Sequence, residues 1–435
     1  MDQQLINNYR LFFFISFLFI SHFVIGQKPI SGPFVGGVTD HSAKIWVAYK
    51  QKSPLNITLT DGVNYYMPTQ KSETTRKSKT INTLDFGRLP QNTKFTVLCN
   101  GKAISKSKIK VQFATQKTNP DTSQIRFLAA SCALILHKPL AVFFPGASRK
   151  IFKSMSTDST DFMLWMGDNV YLLGFHLKSE KRVFRKNMNI RTKFKKYDKL
   201  LSSQPNYSIW DDHDFGPNNT DNSFVGKNYT TKVFKQMWPN PELPIPELGN
   251  FYTFKHEDIQ FFMLDDRTNK VISDSEKKCL GSAQIEWLKT ELSNSTASFK
   301  FIVNGNQIIK KQRGNECLRY FKDEFNDIFT SIRSNKIDGV VLLSGDVHHT
   351  ELLRDKEIGN YPIYELTCSP MTSKLSLPPQ EKTQIVENTI VSKKRNYCLT
   401  TIIGNTTDRK LRFEIFDTKG KLIWMKEIML SEISN

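Results

Sequence analysis

Short apolar segments that end in polar residues are the feature that most constrains the fold of this chain. These segments are 125–130, 162–166, 259–264, 299–303 and 340–343. Their lengths are typical of buried strands, and the stretch 318–332 between two of them has apolar residues at helical spacings of three and four. Strands that alternate with helices predict a layered α/β domain, in which ligands bind beyond the carboxyl ends of the strands.

The residues that follow these strands carry side chains that can bind metal ions. They are Ser131-Cys132, Gly167-Asp168 with Tyr171, Asp211-Asp212-His213-Asp214 behind a further short strand at 207–210, Asp265-Asp266-Arg267, Asn304 to Gln307, and Gly345-Asp346 with His348-His349. Taken singly, a Gly-Asp pair is a common turn, and a cysteine or tyrosine is a common packing residue. Together, a thiol, a phenol, carboxylates and imidazoles on successive strand ends predict one joint metal site.

Residues 27–117 differ from this pattern, because short β-type segments follow one another with turns between them. Examples are 44–49, 57–60, 94–98 and 109–113, with Asp61-Gly62 and Asn100-Gly101 as turns. This pattern predicts a small N-terminal all-β domain of the immunoglobulin or fibronectin type. We expect the α/β domain to occupy 118–435 and to close with a β-hairpin at 411–425.

The segment 1–26 predicts a secretory signal peptide. Arg10 precedes an apolar run from Leu11 to Ile25, and Gly26 offers a small residue at the cleavage point. The run is short and interrupted, which favours a signal peptide over a permanent membrane span. We therefore expect an exported protein, periplasmic or extracellular, with no stable membrane span after the signal is removed.

The charge balance of the chain is strongly basic. It has 61 lysines and arginines against 42 aspartates and glutamates, which gives a formal net charge of +19. Such a surface attracts anions, although a basic surface that is simply solvated has the same balance. The sequence has no zinc-finger spacing and no basic region before heptads, so we expect no specific nucleic-acid readout.

Six cysteines are too few for a disulfide scaffold in a chain of 435 residues. Cys279 and Cys317 are a possible pair in an oxidising compartment. The sequence leaves open whether they form a disulfide.

The order of the strand-end motifs resembles that of the PhoD-type alkaline phosphatases, in the calcineurin-like metallophosphoesterase superfamily. The motifs are Ser-Cys at 131–132, Gly-Asp-x-x-Tyr at 167–171, Trp-Asp-Asp-His-Asp at 210–214 with Asn218-Asn219, Leu-Asp-x-Arg at 264–267, Gly-Asn-Gln at 305–307 and Gly-Asp-x-His-His at 345–349. The resemblance runs from about Gly32 to the C-terminal hairpin. It implies a metallophosphoesterase sandwich with a small N-terminal β-domain, and hydrolysis of phosphate esters by a metal-activated water.

By position, the resemblance implies that Asp168 bridges two metal ions. The further ligands that it implies are Cys132, Tyr171, Asp212, Asp346 and His348. It also implies Fe³⁺ at the phenolate position with Ca²⁺ beside it, and hard carboxylate oxygens suit calcium. A cysteine ligand also suits zinc, so Zn²⁺ stays open as an alternative. A thiolate, a phenolate and several carboxylates lie together only around multivalent cations.

Three further residues are catalytic candidates by the same resemblance. His213 matches a histidine near the leaving group and could protonate the departing oxygen, or else orient Asp214. Asn219 could contact metal or phosphate, or else belong to a turn. Arg267 could clamp phosphate oxygens with its planar guanidinium, or else pair with the two carboxylates before it.

We therefore expect an alkaline phosphatase or phosphodiesterase of PhoD type that acts on a small or polymeric phosphate ester. One rival is a phosphodiesterase specialised for lipid, nucleotide or polymer substrates at the same site. The other rival is a degenerate phosphatase-fold module that only binds an anionic polymer. The intact ligand set argues against degeneration.

Overall fold

The computed structural model describes residues 28–52, 55–106, 109–117, 124–136, 150–377, 383–406 and 408–435. The predicted signal peptide at 1–26 lies outside the described residues. Within the described ranges, no helix is long and apolar enough to cross a lipid bilayer.

The described residues from 31 to 114 form strands and turns. The strands are β1 (Ser31–Gly36), β2 (Ala43–Lys50), β3 (Ile57–Thr60), β4 (Tyr65–Tyr66), β5 (Gln70–Arg76), β6 (Lys79–Phe86), β7 (Lys94–Cys99), β8 (Lys102–Ala103), β9 (Ser105–Lys106), β10 (Ile109–Lys110) and β11 (Gln112–Ala114). One sheet has the order β1-β2-β6-β5, and a second has the order β11-β7-β3-β4. Alternate side chains of the two sheets, such as Ile45, Leu59 and Val97, meet in one buried core. This all-β region agrees with the pattern at 27–117, whereas its boundary at 117 stays a prediction.

The remaining strands form two larger sheets and one small hairpin. They are β12 (Ile125–Ala130), β13 (Phe162–Met166), β14 (Asn206–Ile209), β15 (Tyr252–His256), β16 (Ile259–Met263), β17 (Val271–Ile272), β18 (Lys277–Lys278), β19 (Phe299–Val303), β20 (Val340–Ser344), β21 (Glu351–Asp355), β22 (Ile363–Thr367), β23 (Asn396–Ile403), β24 (Lys410–Asp417) and β25 (Leu422–Met429). One six-stranded sheet has the order β14-β13-β12-β23-β24-β25, and the other has the order β15-β16-β19-β20-β22-β21. The hairpin β24–β25 is the predicted closing hairpin.

The helices pack outside these sheets. They are α1 (Lys150–Met155), α2 (Glu180–Lys193), α3 (Lys195–Leu201), α4 (Asp212–Phe215), α5 (Lys227–Met237), α6 (Ser282–Ser293) and α7 (Lys322–Ser334), with 3-10 turns at Leu318–Tyr320 and Leu430–Ile433. The predicted helical stretch 318–332 thus begins as a 3-10 turn, and its α-helix starts only at Lys322. The apolar residues of α6 and α7 belong to the core of the second large sheet. Residues of α1, α2, α3 and α5 pack between the first large sheet and the N-terminal strands β1, β2 and β6.

The two six-stranded sheets pack face to face through aromatic side chains. Phe127 of β12 is fully buried, and its ring lies 5.1 Å from that of Phe162 on the neighbouring strand β13. The same ring makes edge contacts with Phe261 and Phe301 of the opposite sheet at 5.2 Å and 5.5 Å. Such aromatic pairs each stabilise a core by about 0.5–1.5 kcal/mol beyond their buried area. The result is a mixed α/β fold with two central sheets.

Within each of the two large sheets, parallel pairing brings the candidate residues to the carboxyl ends of neighbouring strands. Strands β12, β13 and β14 are parallel to one another, as are β16, β19, β20 and β22. In the register of these strands, Ala130 pairs with Trp165, and Met166 pairs with Ile209. The carboxyl ends of neighbouring strands therefore lie side by side, which positions the polar residues that follow them.

The cysteine pairing differs from the one considered above. Cys279 and Cys317 are free and buried, and their sulfur atoms face the carbonyl oxygens of Asp266 at 3.8 Å and Ile308 at 3.4 Å. A disulfide instead joins Cys368 to Cys398, with 6.1 Å between the Cα atoms. Because Cys368 follows β22 and Cys398 lies on β23, this bond links the two six-stranded sheets covalently.

Candidate metal centre

The backbone at the strand ends has an unusual conformation. Cys132, Asp168, Asp346 and His348 all have positive φ angles, of 57°, 55°, 64° and 60°. Residues other than glycine rarely adopt this left-handed region, and each instance costs about 1–3 kcal/mol. Gly167 also has a positive φ, of 83°, and a Cβ there would lie 2.6 Å from the Cβ of Asp211. Four of the twelve non-glycine residues with positive φ among the described residues are thus predicted ligands, and such backbone is common at functional sites.

Asp168 belongs to two groups of possible metal ligands. Ligand atoms of Cys132, Asp168 and His348 all lie within 4.8 Å of one another. The same holds for ligand atoms of Asp168, Asp212 and His213. A carboxylate has two oxygens, so Asp168 is placed to serve an ion on each side. That Asp168 bridges two metal ions stays a prediction.

The other two predicted ligands lie next to these groups. The hydroxyl of Tyr171 lies 3.1 Å from Nε2 of His348, and the tyrosine is 5% exposed. The backbone carbonyl of Asp346 lies 3.6 Å from the sulfur of Cys132. The structure thus brings all six predicted ligand residues together at the carboxyl ends of strands from both six-stranded sheets.

The electrostatics of the cluster favour bound cations. Burial, reinforced by Asp212 and other carboxylates, raises the pKa of Asp168 well above its ordinary range. Burial and then Asp168 likewise raise the pKa values of the Cys132 thiol and the Tyr171 phenol. Without a cation, these groups resist ionisation, because their negative charges would repel one another in a region that excludes water. Multivalent cations remove this conflict, so the donor set fits metal ions.

The two predicted catalytic residues of the 211–219 segment contact this cluster. The backbone N–H of His213 donates to Asp168 at 3.2 Å and to Asp212 at 2.7 Å. Its ring centre lies 4.2 Å from that of Tyr171, and burial lowers the pKa of the imidazole. The N–H of Asn219 donates to Oδ2 of Asp212 at 2.6 Å, and the Asn219 residue is exposed. Asn219 therefore holds Asp212 through its backbone, which leaves its side chain at the surface.

Arg267 pairs with carboxylates of the protein, which is the structural alternative to binding a phosphate. Its guanidinium is fully buried and donates to Asp211, to Glu316 at 2.7 Å and to the carbonyl of Thr220 at 3.1 Å. Its Nε also lies 3.7 Å from the carboxylate of Asp266, one of the two neighbouring carboxylates that the sequence offered as partners. With its donors engaged away from solvent, Arg267 is placed to stabilise Asp211 rather than to clamp a phosphate. Its positive charge also helps to hold the pKa of Asp212 low against the effect of burial.

Sequence reasoning assigned no role to Asp211 and Asp214, which flank Asp212 and His213. Asp211 is the N-cap of α4, and together with Asp214 it forms a capping box. The Asp214 carboxylate also accepts the backbone N–H groups of Asn169 at 3.0 Å and Val170 at 2.8 Å. It thereby ties the loop that follows β13 to α4. The spacing of three residues between Asp211 and Asp214 is the sequence signal that could have predicted this helix cap.

Arg313 was also missed. Its guanidinium contacts the carboxylate of Asp346, and its side chain is 28% exposed, unlike that of Arg267. The sequence around Arg313 has no strand and no motif, so only the structure brings it to the cluster.

We predict that Asp168→Asn removes most of the bound metal from the purified protein. Asparagine keeps the shape of the side chain but loses the charge that offsets two cations. Elemental analysis of the purified variant measures this directly, and circular dichroism checks the fold. Asp274→Asn, the same change at an exposed residue, is the control and should keep its metal. Full metal content in Asp168→Asn would mean that Gly167-Asp168 is only a turn.

Comparisons with known proteins found one matching family and one solved structure of similar fold. No curated protein matches the chain significantly by sequence. Residues 251–408 match the family of PhoD-like phosphatases. A solved structure described as "Structure of PhoD" has a TM-score of 0.66 and 15% identity, and the match covers 91% of each chain.

Two other solved structures are much less similar. A single mutant of Vps29 from Entamoeba histolytica has a TM-score of 0.30 and 10% identity, covering 70% of this chain and 99% of that one. The type III pullulan hydrolase from Thermococcus kodakarensis has a TM-score of 0.17 and 8% identity, covering 74% and 61%. Both TM-scores are too low to indicate a shared fold. The resemblance seen in the motifs is confirmed by the match of residues 251–408 to the family of PhoD-like phosphatases and by the similarity of the fold to that of PhoD.

Proposed function

We propose that this protein is an exported, metal-dependent phosphoesterase whose centre is organised by Asp168. The observation that carries the proposal is the position of Asp168 between two groups of ligand atoms, each within 4.8 Å. Metal ions bound there would supply Lewis acidity, lowering the pKa of a water molecule and polarising the phosphate oxygens. The two facing six-stranded sheets, with this edge at their carboxyl ends, support the metallophosphoesterase sandwich as the fold type.

The proposed ligands form two sets, one for each ion. Cys132, Tyr171 and His348 would hold one ion with Asp168, and Asp212 would hold the other. Asp346 would complete the ligand set, where its carboxylate also contacts Arg313. Ligands on rigid strand ends fix the spacing of the ions, which determines where a phosphate can bind.

His213 is the candidate for proton transfer to the leaving oxygen. Its backbone is anchored to Asp168 and Asp212, which fixes the position of the ring. Nδ1 of His213 is buried and has no hydrogen-bond partner among the described residues. An imidazole held in place with one nitrogen unengaged can bind a phosphate oxygen or deliver a proton. Near the proposed ligands, the side chain of Arg313 is 28% exposed, whereas that of Arg267 is fully buried.

We predict that the purified protein releases p-nitrophenol from p-nitrophenyl phosphate or bis(p-nitrophenyl) phosphate. The loss of several kcal/mol of charge stabilisation in Asp168→Asn should lower turnover by roughly a thousandfold. Chelation should also abolish turnover, and added metal should restore it. Asp274→Asn should retain wild-type activity.

The competing interpretation is a module that binds an anionic polymer without catalysis. Inactivity toward both substrates, with full metal content, would favour that module over the phosphoesterase. Comparison of the two substrates also separates monoester from diester preference.

The ions themselves are proposed as Fe³⁺ and Ca²⁺, with Zn²⁺ as the alternative to iron. A phenolate bound to ferric iron absorbs visible light by charge transfer, whereas zinc has a filled d shell and cannot accept the electron. We predict that the isolated protein is coloured and that Tyr171→Phe loses or shifts the visible band, with weaker metal retention and unchanged folding.

Tyr364→Phe is the matched control for this spectrum. It removes the same atom from a tyrosine that is 6% exposed, against 5% for Tyr171, on strand β22. Its spectrum should equal that of the wild type. A colourless, iron-free protein that works fully with zinc would overturn the iron assignment and leave the phosphoesterase proposal intact.

Export is proposed from the signal-like segment and supported by the disulfide. Disulfides persist mainly in oxidising compartments such as the periplasm and the extracellular space. The bond between Cys368 and Cys398 suits such a compartment. We predict that the mature chain from a secreting host begins near Gln27, and N-terminal sequencing measures this. Retention of Met1 with firm membrane association would point to a signal anchor instead.

A further inference from the structure

A basic cleft lies between the β5–β6 hairpin and helix α2. Its volume is 470 Å³, within the range of sites that bind organic ligands. The described residues that line it include five cations and no acid; the cations are Arg76, Lys77, Lys79, Lys181 and Arg185. None of the candidate metal ligands or catalytic residues is among them. The cleft is therefore a separate feature of the molecule, and it has a strong positive charge.

Arg76 joins the two walls of this cleft. Its guanidinium pairs with the carboxylate of Glu180, the first residue of α2, and Cζ lies 5.1 Å from the centre of the Phe184 ring. Glu180 also pairs with Lys232 of α5, whose ammonium lies 3.2 Å away. Because Glu180 already serves two cations, it does not compensate the other cations of the cleft.

Those other cations lie close to one another rather than to carboxylates. Lys79 is directly opposite Arg76 in the register of β5 and β6, and like charges in this position destabilise a sheet. Lys181 and Arg185 are four residues apart on α2, where like charges also repel. Within the described part of the chain, no ion pair involves any cation of the lining except Arg76. The fold thus contains uncompensated repulsion that an anion in the cleft would relieve.

Positive charge continues along α2 beyond the cleft. Lys181, Arg185 and Lys193 are exposed and follow one another at spacings of four and eight residues. Such spacings keep side chains on one side of a helix, here over a length of roughly 18 Å at ~1.5 Å per residue. A single small anion contacts only a fraction of this length, whereas a linear polymer with repeated anionic groups can contact all of it.

The apolar residues of the cleft do not favour a lipid or a nucleic-acid base as the occupant. Phe184 and Met188 are only 5% and 1% exposed, and the guanidinium of Arg76 covers the ring of Phe184. Bilayers are bound by apolar side chains that project into them, and single-stranded nucleic acids by aromatic faces that stack on bases. The described lining offers neither, so the charge of the occupant is what this surface recognises.

We propose that this cleft and the adjoining side of α2 bind a linear polyanion through its charges. Each anionic group of such a polymer would neutralise an unpaired cation and release a counterion from the polymer. The hydroxyl of Ser78 and the carboxamide of Asn189, also in the lining, can hydrogen-bond to the polymer between its charges. This binding goes beyond the proposed hydrolysis, because it uses no residue of the metal centre.

Calorimetric titration of the full chain with dextran sulfate tests this proposal. Its sulfate esters are not phosphoesters, and uncharged dextran of the same length is the ligand control. The wild type should bind dextran sulfate and not dextran, with an affinity that falls as salt is added. Lys181→Gln combined with Arg185→Gln should weaken binding by about tenfold and should lower the slope of log affinity against log salt by about two.

The matched control is Arg354→Gln combined with Lys356→Gln, which removes one arginine and one lysine from exposed positions at the end of β21. Both double variants have the same net charge, so a difference between them reports the location of the charge. The control should bind within about twofold of the wild type. Both double variants should hydrolyse the p-nitrophenyl substrates at the wild-type rate.

Three results would each overturn the proposal. They are no binding of dextran sulfate, equal weakening in the two double variants, and binding to phosphatidylglycerol vesicles without binding to dextran sulfate. Because hydrolysis is measured separately, failure of polyanion binding is distinguishable from failure of the proposed function.

Discussion

Electrostatic repulsion among buried acidic groups is the constraint on which the architecture around this centre depends. Asp168 lies with Asp212 and close to Asp211, Asp214 and Asp346, whose charges all raise its pKa in addition to the effect of burial. No packing of apolar residues compensates for this repulsion, since it arises from charge in a region with little water. The chain balances part of it internally, through Arg267 on Asp211 and Arg313 on Asp346. The part left at Asp168 and Cys132 is what bound cations would neutralise.

The sequence predicted strands and turns well where a segment has one clear pattern of apolar residues. The apolar strands, the closing hairpin and the all-β region at 31–114 all follow from local patterns, because strand burial and turn chemistry are encoded by neighbouring residues. The helix that follows residue 318 was placed too early. Its apolar spacing continues through Leu318 and Phe321, but the chain forms a 3-10 turn there before α7 begins.

The parts of the site that the sequence could not predict depend on contacts between distant residues. The sequence left Cys279 with Cys317 open as a possible pair, whereas the topology places Cys398 on β23 beside the end of β22 and so pairs it with Cys368. In the same way, Arg267 lies within a recognisable motif and Arg313 does not, yet Arg313 has the more exposed side chain. The proposed ligands could be named from the sequence because each of them follows a strand. The arginines that pair with neighbouring carboxylates could not be named in this way, because an ion pair between distant residues produces no repeating pattern in the sequence.

The left-handed backbone at Cys132, Asp168, Asp346 and His348 sets the stability of the fold against its capacity to bind metal. Glycine would relax each of these positions and would also remove a donor. A variant with glycines there should therefore be more stable but unable to bind metal, which is the usual trade-off between stability and activity in proteins. Selection for thermal stability alone would therefore favour replacement of these four residues first. Under the proposed function, bound cations would offset the cost of these four positions, because each side chain that glycine would remove is a proposed ligand.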